Sequence, residues 1–304
     1  MQAIDSRARN VQRLALACLV LLLAVTCLSA YLRHSAAGLG CAPWPACYGQ
    51  GETAATAGAM AVAGQALTGA RMAHRVTATL ALLLIIAIVV LCLRSKPRLQ
   101  PQARLSVTLL VLALALSLLG VFTPGSRLPA VAIGNLLGGF LMLALAARLV
   151  ALPPPRGLGW AAGVVATLLV VHIAGGAFVS ASHAGLACTD LRECLAQARA
   201  GGWDWQQLIP WREAGFAVGT PHAEGALLQA LHRMGSLVVA PALAALAWLA
   251  MRRGRRTEGL WLLALLASQI ALGLALGSTG LPLVPVLLHN LGTAVMLALV
   301  LRLV

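Results

Sequence analysis

The chain has 304 residues, of which 60% are hydrophobic and only 10% are charged. A soluble domain carries about 25% charged residues, so this composition excludes an ordinary soluble globular protein. The formal net charge of +14 does not indicate nucleic-acid binding. The basic residues cluster in short connections between apolar segments, as the positive-inside rule predicts for a membrane protein.

Eight segments are apolar over the roughly 20 residues that a helix needs to cross a bilayer. In chain order, the predicted spans are Val11–Tyr31, Ala66–Leu93, Leu105–Phe122, Ala130–Val150, Gly157–Val179, Ala226–Met251, Leu260–Leu276 and Val284–Val304. The first is interpreted as an uncleaved span, because no clear small-residue cleavage site follows it. The charge pattern predicts a plasma (inner) membrane protein with cytoplasmic termini and with long external connections at about Leu32–Gln65 and Ser180–Gly225.

The two halves of the chain carry the same motifs in the same order. A Gly-Leu-x-Cys sequence ends at Cys41 in the first half and at Cys188 in the second, and a His-Arg pair follows later in each. This repeat predicts an all-α membrane protein whose eight transmembrane helices form two four-helix bundles, residues 1–152 and 153–304. Matching spans cross the membrane in the same direction, so the pseudo-twofold axis is expected along the membrane normal.

Each long external connection contains a pair of cysteines separated by five residues. The pairs are Cys41 with Cys47 and Cys188 with Cys194. An oxidising outer compartment allows disulfides, whereas this spacing is not a usual one for zinc. The interpretation is two disulfides, and a redox-active thiol relay is the alternative that the pattern leaves open.

Three histidines, His74, His232 and His289, lie at similar depth in predicted spans. Each is about six to ten residues from the outer end of its span, which is about 9–15 Å at ~1.5 Å per residue. Paired imidazoles on facing helices suit the axial positions of a haem. Arg75 and Arg233, which directly follow two of the histidines, would pair with the haem propionates. The alternative is that the histidines only form interhelical hydrogen bonds.

The two halves are not equivalent at these positions. The second half offers His232 and His289, which suits a six-coordinate haem for electron transfer, whereas Asn135 occupies the first-half place that matches His289. The first half therefore has one strong ligand, His74. His172, inside the fifth span, is interpreted as a buried histidine bonded to a neighbouring helix. The histidines in external loops or at span edges are interpreted as solvated or interfacial: His34, His183 and His222.

Together these motifs resemble the haem A synthases, and the resemblance covers essentially the whole chain. It is carried by the Gly38–Cys47 sequence, the Gly185–Cys188 sequence, the two His-Arg pairs and His289-Asn290. The resemblance implies an oxidoreductase that converts a ring methyl of haem O into the formyl group of haem A for terminal oxidase biogenesis. It also implies a haem b held by His232 and His289, and a substrate haem near a catalytic His74. A haem O synthase, an electron donor and a second copy of the chain are the protein partners considered.

The first half departs from the family pattern. The family usually has a glutamate three residues before the first-half histidine, where this chain has Arg71, and a second histidine where it has Asn135. These departures leave open a non-catalytic haem-binding paralogue or oxidase assembly factor. A membrane cytochrome b-type electron carrier is the second alternative. An ion-coupled transporter is disfavoured, because all eight acidic residues lie in termini, loops or span edges.

Overall fold

A computed structural model of the protein describes residues 2–36, 57–95, 99–123, 126, 128–151, 158–212 and 225–304. Within these ranges the regular structure is helical. The α-helices are α1 (Gln2–Ala36), α2 (Ala57–Arg94), α3 (Gln100–Phe122), α4 (Pro129–Val150), α5 (Trp160–Ala181), α6 (Leu191–Ala200), α7 (Ala226–Arg252), α8 (Arg256–Thr279) and α9 (Leu283–Leu303). Short 3-10 turns at Ala184–Leu186 and Trp205–Leu208 flank α6.

Eight of these helices, all except α6, are long and apolar enough to cross a membrane, which confirms the predicted all-α, multi-pass architecture. The helices extend beyond the predicted spans: α1 runs to Ala36, past the predicted end at Tyr31, and α2 begins at Ala57 instead of Ala66. Apolar composition marks only the part of a helix that lies in hydrocarbon, whereas backbone hydrogen bonding continues into the interface. The extension of α1 keeps Arg33 and His34 on a rigid helix.

The turn between α8 and α9 follows from three consecutive residues. Gly280 ends α8 in the left-handed conformation, with φ of 75°, which glycine adopts without steric cost. Leu281 also has a positive φ, of 59°, and Pro282 then precedes the first turn of α9 with φ of −60°. This turn reverses the chain direction, so that α9 packs against α8.

The spanning helices pack in two closed sets. In the first half, α1 and α3 each contact α2 and α4; in the second, α7 and α9 each contact α5 and α8. The sets meet where α9 contacts α1 and α4 and where α4 contacts α5. The buried apolar residues of α5, α7, α8 and α9 form one core, and Leu136, Phe140 and Leu143 of α4 belong to it. The two halves therefore share packing at their junction. The pseudo-twofold axis and the division at residue 152 stay predictions.

Candidate functional site

A cavity of about 520 Å³ lies among α5, α7, α8 and α9, with further walls from α1 and α4. His232, His289 and Arg233 all line this cavity, so three of the residues singled out by sequence are brought together. His74 and Arg75 do not line it. Most of the remaining wall is aliphatic or aromatic, with Phe140, Leu169 and Met296 as examples. The cavity therefore combines an apolar interior with a few polar groups, as is usual for a cofactor site.

His232 on α7 is packed against α5 by close contacts that depend on glycine. Its ring is stacked on that of His172, with centroids 4.4 Å apart and planes inclined by 10°. A Cβ atom at Gly176 would lie 2.8 Å from Cε1 of His232, and one at Gly235 would lie 3.0 Å from Nδ1 of His172. Because real Cβ atoms essentially never come within 3.0 Å, Gly176 provides the space in which the His232 ring sits. The sequence predicted that His172 is buried and bonded to a neighbouring helix; in the structure its ring is half-buried and is stacked on His232 of α7.

His289 lines the cavity from α9, which packs against α8. A Cβ atom at Gly273 of α8 would be 3.9 Å from Cε1 of His289, which is ordinary van der Waals contact. The Nδ1 atoms of His232 and His289 are both buried and have no hydrogen-bond partner among the described residues. Buried polar atoms are normally paired, and an unpaired one points to an ion or ligand that completes its environment. Both rings therefore fit a role as ligands to iron, which stays a prediction.

Gln269 on α8 is a polar group that sequence reasoning did not identify. Its Oε1 accepts a hydrogen bond from the hydroxyl of Thr293 on α9, at 2.9 Å. Its Nε2 is buried without a partner in the part of the chain that the structure describes. A Cβ atom at Gly292 would overlap this amide, so the glycine allows α8 and α9 to approach closely here. The side chain of Gln269 therefore presents a donor in the cavity wall, beside Thr293, which is one turn after His289 on α9.

Arg233 lies against the segment that precedes α6. Its Nη2 donates a hydrogen bond to the carbonyl of Cys188, at 3.2 Å. The disulfide Cys188–Cys194 is present, with Cα atoms 5.1 Å apart, which confirms one of the two predicted pairs. Cys41 and Cys47 lie outside the described residues. One turn earlier on α7, Gln229 donates to the carbonyl of Gly185, at 2.8 Å. These two hydrogen bonds fix the segment after α5 onto the start of α7.

The sequence around the disulfide forms a capped short helix. Asp190 is the N-cap of α6 and accepts a hydrogen bond from the backbone N–H of Glu193, at 2.8 Å. The carboxylate of Glu193 accepts from the backbone N–H of Thr189, the residue before the N-cap, at 2.7 Å. Hydrogen bonds from the Thr189 hydroxyl and backbone lower the pKa of Glu193, because they favour its charged form. α6 packs on α7, and Thr189 and Asp190 line the cavity.

Two polar residues of α1, in the first half, also line the cavity. Arg33 donates from Nη1 to Ser29, at 2.8 Å, and from Nη2 to the side-chain oxygen of Asn290 on α9, at 3.4 Å. His34 is 5% exposed, and its Nε2 lies 3.0 Å from the carbonyl oxygen of Leu281. The interpretation of His34 as solvated or interfacial is therefore wrong: the extended α1 buries it against the turn before α9. His183 is half-buried and lines the cavity, and His222 lies outside the described residues.

The first-half candidates lie elsewhere in the fold. His74 is half-buried on α2, whereas Arg71 and Arg75 are exposed on the same helix, and Asn135 is half-buried on α4. α1 packs against α2, so the helix that carries His74 lies beside the helix that carries Arg33. A substrate site around His74 stays a prediction.

The donor groups suit a macrocyclic metal complex more than a bare ion. Among the described residues, no cluster of three or more His, Cys, Asp or Glu side chains could hold a metal ion. A haem needs only two axial donors from the protein, because the porphyrin supplies the four equatorial nitrogens. His232 and His289 come from separate helices and line one apolar cavity, so the residues present fit a haem.

Comparison with known proteins identifies similar sequences over nearly the full chain. Residues 12–301 match the family model COX15-CtaA, described as "Cytochrome oxidase assembly protein". A curated relative from Shewanella oneidensis, named "Heme A synthase", is 29% identical over 309 residues. The alignment covers 92% of this chain and 91% of the relative. Both similarities therefore include the helices of the first half as well as those around the cavity.

Proposed function

The chain belongs to the COX15-CtaA family of cytochrome oxidase assembly proteins, and on that premise we propose that it is a haem A synthase. In this proposal it is a membrane oxidoreductase that converts a ring methyl of haem O into the formyl group of haem A. The full-length similarity to a relative named "Heme A synthase" supports the assignment. The product would serve the biogenesis of a terminal oxidase, with a haem O synthase and an electron donor as partners.

One observation carries the proposal: two histidines from separate helices, His232 of α7 and His289 of α9, line a single apolar cavity, and their buried Nδ1 atoms have no partner in the described part of the chain. These two imidazoles would hold the iron of a resident haem b. When bound, that haem supplies one-electron transfer, because bis-imidazole coordination leaves no open position for a substrate. The site thus supports a redox relay in the second half, distinct from the place where haem O is oxidised.

The remaining groups of the cavity would bind and orient the macrocycle. Gly176 keeps the space that the His232 ring occupies, and the stacked His172 limits rotation of that ring. The aliphatic and aromatic wall, which includes Phe140 and Leu169, excludes water from the macrocycle faces. Arg233 lines the cavity and donates a hydrogen bond to the carbonyl of Cys188. It is suited to a haem propionate, because an arginine pairs bidentately with a carboxylate.

Haem O itself would bind in the first half, with His74 as its contact to iron and Arg75 as a partner for a propionate. His74 is half-buried on α2, which allows access to a membrane-dissolved substrate. Asn135 lies at the sequence position that matches His289, and asparagine is a poor iron ligand. The substrate iron would therefore keep one face open, which suits exchange of substrate for product.

The orientation in the membrane follows from the disulfide and the basic connections. A persistent Cys188–Cys194 bond is expected in an oxidising compartment, so the segment over the cavity would face the outside of the plasma (inner) membrane. The arginines in the last turns of α2 and α7 and at the start of α8 would then lie on the cytoplasmic side, together with both termini.

A non-catalytic haem-binding assembly factor is the second candidate function. It is favoured by Arg71, which is exposed on α2 one turn before His74, where the family usually has a glutamate. An arginine cannot accept a proton at neutral pH. The substrate site would therefore lack the carboxylate that the family usually has at this position.

Co-expression with a haem O synthase, in a host that makes no haem A, distinguishes the two functions. Extracted haems are separated by chromatography and identified by mass. The proposal expects a haem A peak that is lost in His74→Ala. Haem O alone, in cells that contain the folded wild-type protein, would contradict the synthase and support the assembly factor.

A further inference from the structure

Arg33 is a first-half residue that lies in the second-half cavity. It is near the outer end of α1, yet it lines the same cavity as His232 and His289. Its two hydrogen bonds to described residues, to Ser29 and Asn290, use two of the five N–H donors of the guanidinium. The second bond is long, at 3.4 Å, and joins α1 of the first half to α9 of the second half.

The charge of Arg33 has no anionic partner among the residues whose placement is described. By contrast, Arg255 at the start of α8 is paired with Glu258, at 3.1 Å. Arg33 is partly buried within a helix set that spans the membrane. A cation removed from water is costly unless an anion pairs with it. The observation therefore points to an anionic group of a ligand in the cavity.

The two cavity arginines are placed in matching relation to the two histidines. Arg233 directly follows His232 on α7, and Arg33 is hydrogen-bonded to Asn290, which directly follows His289 on α9. A ligand held between the histidines would therefore have one guanidinium on the α7 side of the cavity and one that is bonded to α9. A haem carries two carboxylates along one edge, which is the charge distribution that such a pair can bind.

We propose that Arg33 and Arg233 form a clamp for the two carboxylates of the haem in the second-half cavity. Arg33 takes one carboxylate and Arg233 takes the other, and the remaining N–H donors of each guanidinium provide charge-assisted hydrogen bonds. This inference rests on the proposed haem site and adds a contribution from the other half of the chain. The second-half site is incomplete without α1, and the ligand class is an apolar macrocycle with a dianionic edge.

The experiment compares a ligand that has the carboxylates with one that lacks their charge. Haem-free full-length protein in detergent is titrated with ferric protoporphyrin IX and with its dimethyl ester. The proteins are wild type, Arg33→Gln, Arg33→Lys and Arg233→Gln. Arg148→Gln is the matched control, because Arg148 also joins a first-half helix to α9, through the carbonyl of Leu301 at 3.4 Å, without lining the cavity. Melting temperatures of the haem-free proteins separate loss of binding from loss of folding.

The clamp predicts that wild type prefers the dicarboxylate and that Arg33→Gln reduces affinity for it by roughly ten-fold or more, as expected for a charge-assisted hydrogen bond. Affinity for the dimethyl ester stays unchanged in Arg33→Gln, so the ratio of the two affinities falls. Arg33→Lys keeps part of the wild-type preference for the dicarboxylate. Arg148→Gln keeps the wild-type preference. Equal losses for both porphyrins in Arg33→Gln, or no loss, would overturn the clamp while leaving the haem site intact. Failure of wild type to bind either porphyrin would overturn the haem site itself.

Discussion

The imidazole rings of His172 and His232 are stacked, with centroids 4.4 Å apart and planes inclined by 10°. The stack joins α5 to α7 at the wall of the cavity, beside a glycine on each helix. The ring of His232, the candidate iron ligand, is therefore packed against the ring of His172. His172 is therefore assigned a positioning role, in which it holds the ring of His232 in one orientation.

His172→Ala is expected to weaken the haem site without abolishing it. Loss of the stacked ring frees His232 to rotate, so haem should dissociate several-fold faster, while His172→Phe, which keeps a flat ring, should retain most of the stability. The measurement is transfer of haem to an excess of apomyoglobin, together with the low-spin signal in electron paramagnetic resonance. Complete loss of the low-spin signal in His172→Ala would make His172 the ligand and contradict the positioning role.

Gly176→Ala tests the packing that seats His232. The new Cβ atom would lie 2.8 Å from Cε1 of the ring, and displacing a packed ring is expected to lower haem affinity by roughly ten-fold. The matched control is Gly163→Ala on the same helix, where a Cβ atom meets nothing within 4 Å. Equal haem affinity in the two variants would show that Gly176 is not required for the site.

The Cys188–Cys194 disulfide provides a test of membrane orientation. In a variant that keeps only these two cysteines, a membrane-impermeant maleimide should label intact cells after treatment with an impermeant reductant. Labelling should be absent without reduction, because the cysteines are bonded. If labelling required permeabilised membranes, the segment over the cavity would face the cytoplasm, and the proposed orientation would be wrong.

The sequence predicted the parts of this fold that depend on composition and local pattern. Eight spans, the Cys188–Cys194 pair and the resemblance to haem A synthases are confirmed. His232 and His289 stand out in the sequence because they lie at similar depth in predicted spans, and the structure brings both into one cavity. Their ligation of iron, and the role of His74, stay predictions.

Residues that act through contacts between distant helices were not predicted from the sequence. Arg33 follows an apolar run and looks like an interfacial residue, but α1 continues as a helix and packs against α9. The partner of His172 depends on which helices are neighbours, and apolar periodicity does not give that information. A usable signal was present in Gly175, Gly176 and Gly235, because small residues on facing helices mark close approach in membranes.

The low-spin spectrum of the purified protein tests the central claim, that His232 and His289 hold a haem, most directly. Wild type should show a six-coordinate b-type haem in the reduced-minus-oxidised absorption spectrum and a low-spin ferric signal in electron paramagnetic resonance. His232→Ala and His289→Ala should each lose both features. His183→Asn, at a cavity residue with φ of 53° that asparagine tolerates, should keep them. An unchanged low-spin haem in His232→Ala or His289→Ala would contradict the ligand assignment.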